Sequence, residues 1–270
     1  MQVGFKLMAE TYDPREIVRQ AVEAERAGFD FVEVSDHYHP WLYSHGHSGF
    51  VWSMLAAAAA RTSRIGLATG VTCPFVRYHP AIIAQAAATT AVLSEGRHLT
   101  LDDARVFDLP DVPPTIAVAA GGTEAVRIAA ELGDGLFATE PDPDLVKAYT
   151  GAGGTGPRYG EVPLAWSRDE QPAVESAHRL FRFGLTGWKV QAELPNPINF
   201  EAAPSAIRTE DVRDAIACGP DVRRHLEVAG TFVDAGFDHL ALIDAGPDVD
   251  GFFEFFANEL NEPLRALTTR

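Results

Sequence analysis

At 270 residues, with 46% hydrophobic and 22% charged residues, the chain is long enough to bury a core without disulfide or metal staples. Its 38 acidic and 22 basic residues give a formal net charge of -16, which argues against nucleic acid or an anionic membrane as the main partner. Cys73 and Cys218 lie far apart and make no disulfide framework, the amino terminus lacks the basic-then-apolar pattern of a signal peptide, and the longest alanine run is cut by Arg61, so a cytoplasmic protein is expected.

Strand-like and helix-like segments alternate along the chain. Residues 3–8 read as a strand, and Asp13-Pro14 opens a helix that runs to Gly28 with Ile17, Val18, Ala21, Val22 and Ala24 at helical spacing. Residues 29–35 form a second strand, residues 53–60 a helix, and residues 65–71 a third strand whose composition suits burial on both faces. Pro80 opens an alanine-rich helix to about Ser94. Residues 99–101 and 106–109 then resemble a short hairpin. The next core strand, residues 115–120, ends in Gly121-Gly122 and feeds a helix through Leu132. Residues 136–139 and 162–166 read as strands, each followed by a helix, at 142–149 and 169–182. Residues 184–208, rich in Pro, Asn and Gly, read as a long excursion or cap. A helix from Asp221, a last strand over 239–243 and an aromatic helix with Phe252, Phe253, Phe255 and Phe256 complete the chain.

About seven βα units without a long linker imply one α/β domain over 1–270 with a parallel sheet. The length suits a TIM-like (β/α)8 barrel of roughly 250 residues; a doubly wound open sheet is the alternative, and no Gly-x-Gly-x-x-Gly turn follows the first strand.

The carboxyl ends of parallel strands are where chemistry is placed. After the second strand stands Ser35-Asp36-His37-Tyr38-His39-Pro40-Trp41. An acid, two imidazoles and an indole there suit a metal site, a purely structural nest, or a site for an organic cofactor with His37 as general base and Trp41 as a wall. His45 and His47 are further candidate ligands, but the other strand ends add few, apart from Asp244. After the third strand, Gly70, Val71, Thr72 and Cys73 offer backbone groups to a ligand's polar edge, or simply make a turn with a small thiol. Ala120, Gly121 and Gly122 let backbone approach a ligand at a helix start that favours an anion. Glu10, just past the first strand, is a fourth candidate.

Taken with Arg77-Tyr78-His79-Pro80-Ala81, Ala84-Gln85-Ala86 and Ala235-Gly236-Phe237-Asp238-His239, these segments resemble the luciferase-like monooxygenase superfamily. Within it the chain resembles the deazaflavin-dependent branch typified by glucose-6-phosphate dehydrogenase using coenzyme F420. The resemblance implies a TIM-like barrel with F420 (FMN being the alternative) at the strand ends. It implies that Asp36 contacts the cofactor, that His37 takes the substrate's hydroxyl proton, that Trp41 packs beside the reacting centre and that Glu10 sits near the substrate. Gly70-Val71 would carry a non-proline cis peptide, and Ala120, Gly121, Gly122 and Thr139 would line the cofactor's tail. Barrels of this family often dimerise, so a homodimer is expected.

Two departures stand out. A strand and helix that the family carries after Gly96-Arg97, with a glycine-rich turn and a proton-donating glutamate, are missing, a loss of about 50 residues or somewhat more than one βα unit. The barrel is therefore expected to lack its fourth strand or to close with seven. Basic residues that hold a sugar phosphate are also missing, the regions of Glu193-Leu194 and Asp248 to Phe253 offering acids and aromatics instead. The expected function is F420-dependent oxidation of a neutral alcohol or sugar-like small molecule. A non-catalytic flavin-binding protein on a shortened barrel and a metal-dependent hydrolase are the alternatives.

Overall fold

The computed structural model describes residues 1–73, 77–99, 115–191, 193–194 and 197–268. Its strands are β1 (Gln2–Leu7), β2 (Phe31–Val34), β3 (Gly66–Thr69), β4 (His98–Leu99), β5 (Ala117–Ala119), β6 (Gly135–Ala138), β7 (Arg158–Ala165), β8 (Ala217–Cys218) and β9 (His239–Asp244). Every pairing is parallel, in the order β4-β3-β2-β1-β9-β7-β6-β5, with β8 joining β7 at its carboxyl end. Helices separate most strands, so the α/β reading and the parallel sheet hold.

Of the two expectations, a barrel without its fourth strand or one closed by seven, closure is not seen among the described residues. Among the described residues β4 and β5 stand at opposite ends of the sheet and do not pair, which leaves a half-barrel. Residues 100–114 lie outside the described ones, and most of the expected hairpin with them. Its first residue, Leu99, instead continues the sheet, parallel to Ala68 of β3.

Local sequence explains the elements on the amino-terminal side. Asp13 accepts the amides of Arg15 at 2.8 Å and Glu16 at 3.3 Å and so caps the helix Pro14–Ala27, an interaction worth about 1 kcal/mol. Gly28 ends that helix at φ 95°, a conformation that costs other residues a Cβ clash. Ile17, Val18, Ala21 and Ala24 form its buried face. Glu25 accepts the amides of Ser63, Arg64 and Ile65 and fixes the entry to β3.

Arg97 ties off the far end of this region. Its guanidinium donates to the carbonyls of Ser94, Ile65, Ala59 and Thr62 and to the Thr62 hydroxyl, at 2.7–3.2 Å. Near the chain's end the helix Val249–Phe255 and the π-helical turn Phe256–Leu260 that continues it pack aromatic rings against β1 and the approach to β2. Phe29 stacks on Phe256 at 3.7 Å, and Phe5 meets Phe253 edge-on at 4.8 Å. Offset and edge-on ring pairs add about 0.5–1.5 kcal/mol each beyond the area they bury.

The 184–208 excursion folds as short pieces: Arg182–Thr186, Trp188–Gln191, Pro197–Ala202 and Ala203–Ala206. It leads into a helix, Thr209–Ala215, and into β8, neither of which the sequence pattern announces. Among the described residues no helix is long and apolar enough to cross a membrane.

Candidate active site

The strands' carboxyl ends surround a cavity of about 350 Å³. Residues just beyond β1, β2 and β3 supply Glu10, Asp36, His37, Trp41, Gly70, Val71 and Cys73, and Thr139 follows β6. The structure thus brings together at one cavity eight residues chosen from sequence. The peptide between Gly70 and Val71 is cis. Thr72 is turned to another task, donating its hydroxyl to Asp36 Oδ2 at 3.1 Å. Ala120, Gly121 and Gly122 do not line this cavity. They stand one strand further along, after β5, where the Ala120 amide donates to the Phe137 carbonyl.

His37 and Glu10 form a hydrogen-bonded pair at the cavity. His37 Nδ1 donates to Glu10 Oε1, leaving Nε2 as the basic nitrogen of the neutral ring. Burial works to raise the Glu10 carboxyl. The hydrogen bond from His37, the charge its ring carries when protonated and the charge of Lys6 outweigh it, so Glu10 stays below its ordinary value and remains ionised at neutral pH. A carboxylate in that place orients the imidazole and stabilises its protonated form. Trp41 meets His37 edge-on, with ring centroids 4.6 Å apart.

Asp36 is already committed to protein donors. Arg77 Nη1 at 2.6 Å and the Tyr78 hydroxyl at 2.8 Å both donate to Oδ1, with Thr72 on Oδ2. Burial and this bond to Asp36 hold the Tyr78 hydroxyl protonated far above neutral pH. Asp36 therefore fastens the loop after β2 to the segment after β3 as it borders the cavity.

Beneath lies a charged layer that the motif reading missed. Lys6 of β1 faces Glu33 of β2 at 3.2 Å, and its Nζ also donates to Glu161 of β7 and to the Gly70 carbonyl. Burial pushes Lys6 down, but Glu161 and Glu33 outweigh it and keep the ammonium charged. Glu33 goes the other way: burial, together with the nearby Glu161, pushes it up to about 8 in spite of Lys6. Gly70 is a necessity here, because a Cβ on it stands 2.7 Å from the Glu33 carboxyl carbon. At the end of β9, burial pushes Asp244 up to about 7 although its Oδ1 accepts the Trp166 and Gly246 amides.

The excursion supplies the remaining wall. Phe183 stacks near-parallel on Trp41 at 5.5 Å, and Phe200 lies 4.9 Å from the same indole. Gln191 Nε2 donates to the Phe183 carbonyl at 2.9 Å and holds that turn in place. His45 Nε2 donates to the Leu180 carbonyl, and burial lowers its pKa. Among the described residues no group of three His, Cys, Asp or Glu side chains is placed to hold a metal.

Residues 1–100 match the luciferase-like monooxygenase family. That stretch holds β1 to β4 and with them Glu10, Asp36, His37 and Gly70-Val71. Over nearly the whole chain the sequence is 29% identical to an F420-dependent glucose-6-phosphate dehydrogenase of Beutenbergia cavernae, with 98% of each chain covered. It is also 29% identical to one of Nocardia farcinica, with 99% of each covered. These alignments run over 330 and 333 positions against the chain's 270 residues, so the relatives carry internal residues that this chain lacks. An F420-dependent secondary alcohol dehydrogenase, solved with an F420–acetone adduct, superposes with a TM-score of 0.85 at 22% identity over 98% of both chains. The F420-dependent tetrahydromethanopterin reductase of Methanopyrus kandleri gives 0.70 at 17% over 97% of this chain and 99% of its own. The luciferase-like resemblance and the TIM-like fold class therefore stand, with the described strands forming a half-barrel.

Proposed function

We propose that the chain is an F420-dependent oxidoreductase acting on the CH–OH group of a small neutral substrate. The observation that carries this reading is the Glu10–His37 pair beside Trp41 in the cavity at the strand ends. The names of its relatives agree with it.

The residues present fit a deazaflavin. The cavity of about 350 Å³ falls within the span of small-molecule sites, roughly 300–1,000 Å³. Met8, Val71, Phe137, Pro163 and Ile243 give it apolar faces for a flat ring. A Cβ on Gly122 meets nothing within 4 Å, so no protein contact requires a glycine there, and a ligand's tail has room. Gly70, Val71, Cys73 and Thr139 would hold the ring, and Ala120, Gly121 and Gly122 the tail. When bound, F420 supplies a two-electron hydride acceptor.

His37 takes the hydroxyl proton on Nε2 as the C–H hydride departs and the C–O bond becomes a carbonyl. Glu10 keeps the ring in the tautomer that frees Nε2 and balances the charge that His37 gains. Trp41 and Phe183 limit access of water to the reacting carbon.

The decisive experiment mixes the purified protein with F420 and a neutral alcohol. Loss of the oxidised deazaflavin's absorbance and fluorescence is expected. Binding without alcohol-dependent bleaching favours the second reading, a deazaflavin- or FMN-binding protein without turnover, which rests on β4 and β5 not pairing with each other among the described residues.

A further inference from the structure

The charges around the cavity restrict what else can enter it. Lys6 is the one lysine or arginine among its described lining residues, and its ammonium is already shared among Glu161, Glu33 and the Gly70 carbonyl. Glu10, Asp36, Glu140 and Glu161 border the same space. The nearest guanidiniums are also committed: Arg77 to Asp36 at 2.6 Å and Arg182 to Glu201 at 2.6 Å. A phosphate or carboxylate entering here would lose its hydration and gain no free cation from the described lining, a cost of several kcal/mol.

The walls favour apolar contact. Trp41, Phe183 and Phe200 make one aromatic surface, and Phe181 extends it, 5.1 Å from Phe183. This surface is held across two chain segments. Glu201 accepts the Tyr43 amide at 3.1 Å and the Arg182 guanidinium at 2.6 Å, which joins the loop carrying Trp41 to the segment carrying Phe183. Two rings fixed from both sides set a definite width rather than an adaptable opening.

We infer that the site takes a neutral alcohol with an apolar carbon body, and that Phe183, stacked on Trp41, sets the length of body it accepts. This rests on the oxidoreductase reading above and narrows it. A polyhydroxylated sugar would leave its remaining hydroxyls facing rings, with few partners. The oxidant is the deazaflavin: the alcohol carbon gives up hydride, the hydroxyl gives its proton to His37, and a carbonyl compound leaves.

The test needs no variant to begin. Wild-type protein without cofactor is examined by ligand-observed NMR with straight-chain neutral alcohols of increasing length, glucose and glucose 6-phosphate. The same compounds are then assayed by F420 bleaching, with F420 affinity measured separately by fluorescence titration. Binding and kcat/KM are expected to rise about fourfold per methylene until the space is filled. Neither sugar should bind or turn over. Phe183→Ala should move the optimum to a longer alcohol, and Phe183→Leu should move it less. A flat length series, or preference for glucose 6-phosphate or a charged amino alcohol, overturns the inference while F420 binding upholds the oxidoreductase reading. Failure to bind F420 overturns that reading, and the inference falls with it.

Discussion

The two sides of the half-barrel contribute unlike things to one cavity. β1, β2 and β3 and the loops after them bring Glu10, Asp36 and His37, polar groups held by 27- to 42-residue contacts such as His37–Glu10 and Tyr78–Asp36. β6, β7 and β9, with the end of the helix Glu170–Phe181 and the excursion at 182–206, bring mainly apolar surface: Phe137, Pro163, Ile243, Phe181 and Phe183. On the proposed function, proton chemistry and most of the substrate's shape are thus encoded in separate stretches of chain. The stretch that matches the luciferase-like family is the one with Glu10, Asp36 and His37. Changes to the second side should alter which molecule reacts, and changes to the first whether anything reacts.

The sharpest way to break this division is His37→Ala. It should lower turnover about 10²–10⁴-fold while F420 affinity, read by fluorescence titration, is retained; unchanged turnover removes His37 as the base. Glu10→Gln comes next. It keeps the shape but loses the charge, and a fall in kcat of about 10- to 100-fold with little change in KM is expected from steady-state rates. Arg77→Gln tests whether Asp36 is an anchor. Losing a charged hydrogen bond to that buried carboxylate should cost about 2 kcal/mol in urea unfolding.

The layer beneath the cavity predicts a gentler trend. Glu33 and Asp244 both hold their protons more tightly folded than unfolded, with pKa values of about 8 and about 7 against ordinary values of 4.5 and 3.8. Through that window the folded chain binds more protons than the unfolded one, so stability falls as pH rises. It is greatest below the ordinary carboxylate values and is lost as pH passes the raised ones. Tm should therefore decline from pH 5 to pH 8, and Glu33→Gln or Asp244→Asn should each flatten the decline. A Tm that rises across this range contradicts both assignments.

Much of the fold was legible because its signals are local. Asp13-Pro14 and Gly28 bracket a helix by capping chemistry alone, and the runs at β2, β3 and β9 declare themselves by composition. The loop after β2 was legible as a motif. Glu10 was chosen as a substrate neighbour and does border the cavity, but its contact with His37 spans 27 residues and no periodicity encodes it. Lys6, Glu33 and Glu161 escaped notice for a related reason. A single charge within an apolar strand reads as solvated, and only the register that sets Lys6 beside Glu33 and Glu161 beside Ala241 turns all three inward. The wall at Phe183 was hidden at the junction of the helix read over 169–182 and a segment whose Pro, Asn and Gly content spoke only of irregularity. Ala120 to Gly122 were chosen by small size, which marks backbone accessibility without saying which neighbour uses it.

Arg97 has a consequence for how this chain tolerates being short. Its five contacts make a clamp in which the turn before β3, the end of the helix Val51–Ala59 and the chain's own exit from the helix Pro80–Leu93 are secured to one another. The direct hydrogen-bond partners of the Glu10, Asp36 and His37 side chains given above sit on the secured side. Residues lost or gained beyond such a clamp change the length of a connection, a quantity whose entropy varies slowly, about 0.6 kcal/mol per doubling. The arrangement works as a bulkhead: a compartment holding the proton chemistry stays sealed while the hull beyond it is lengthened or cut.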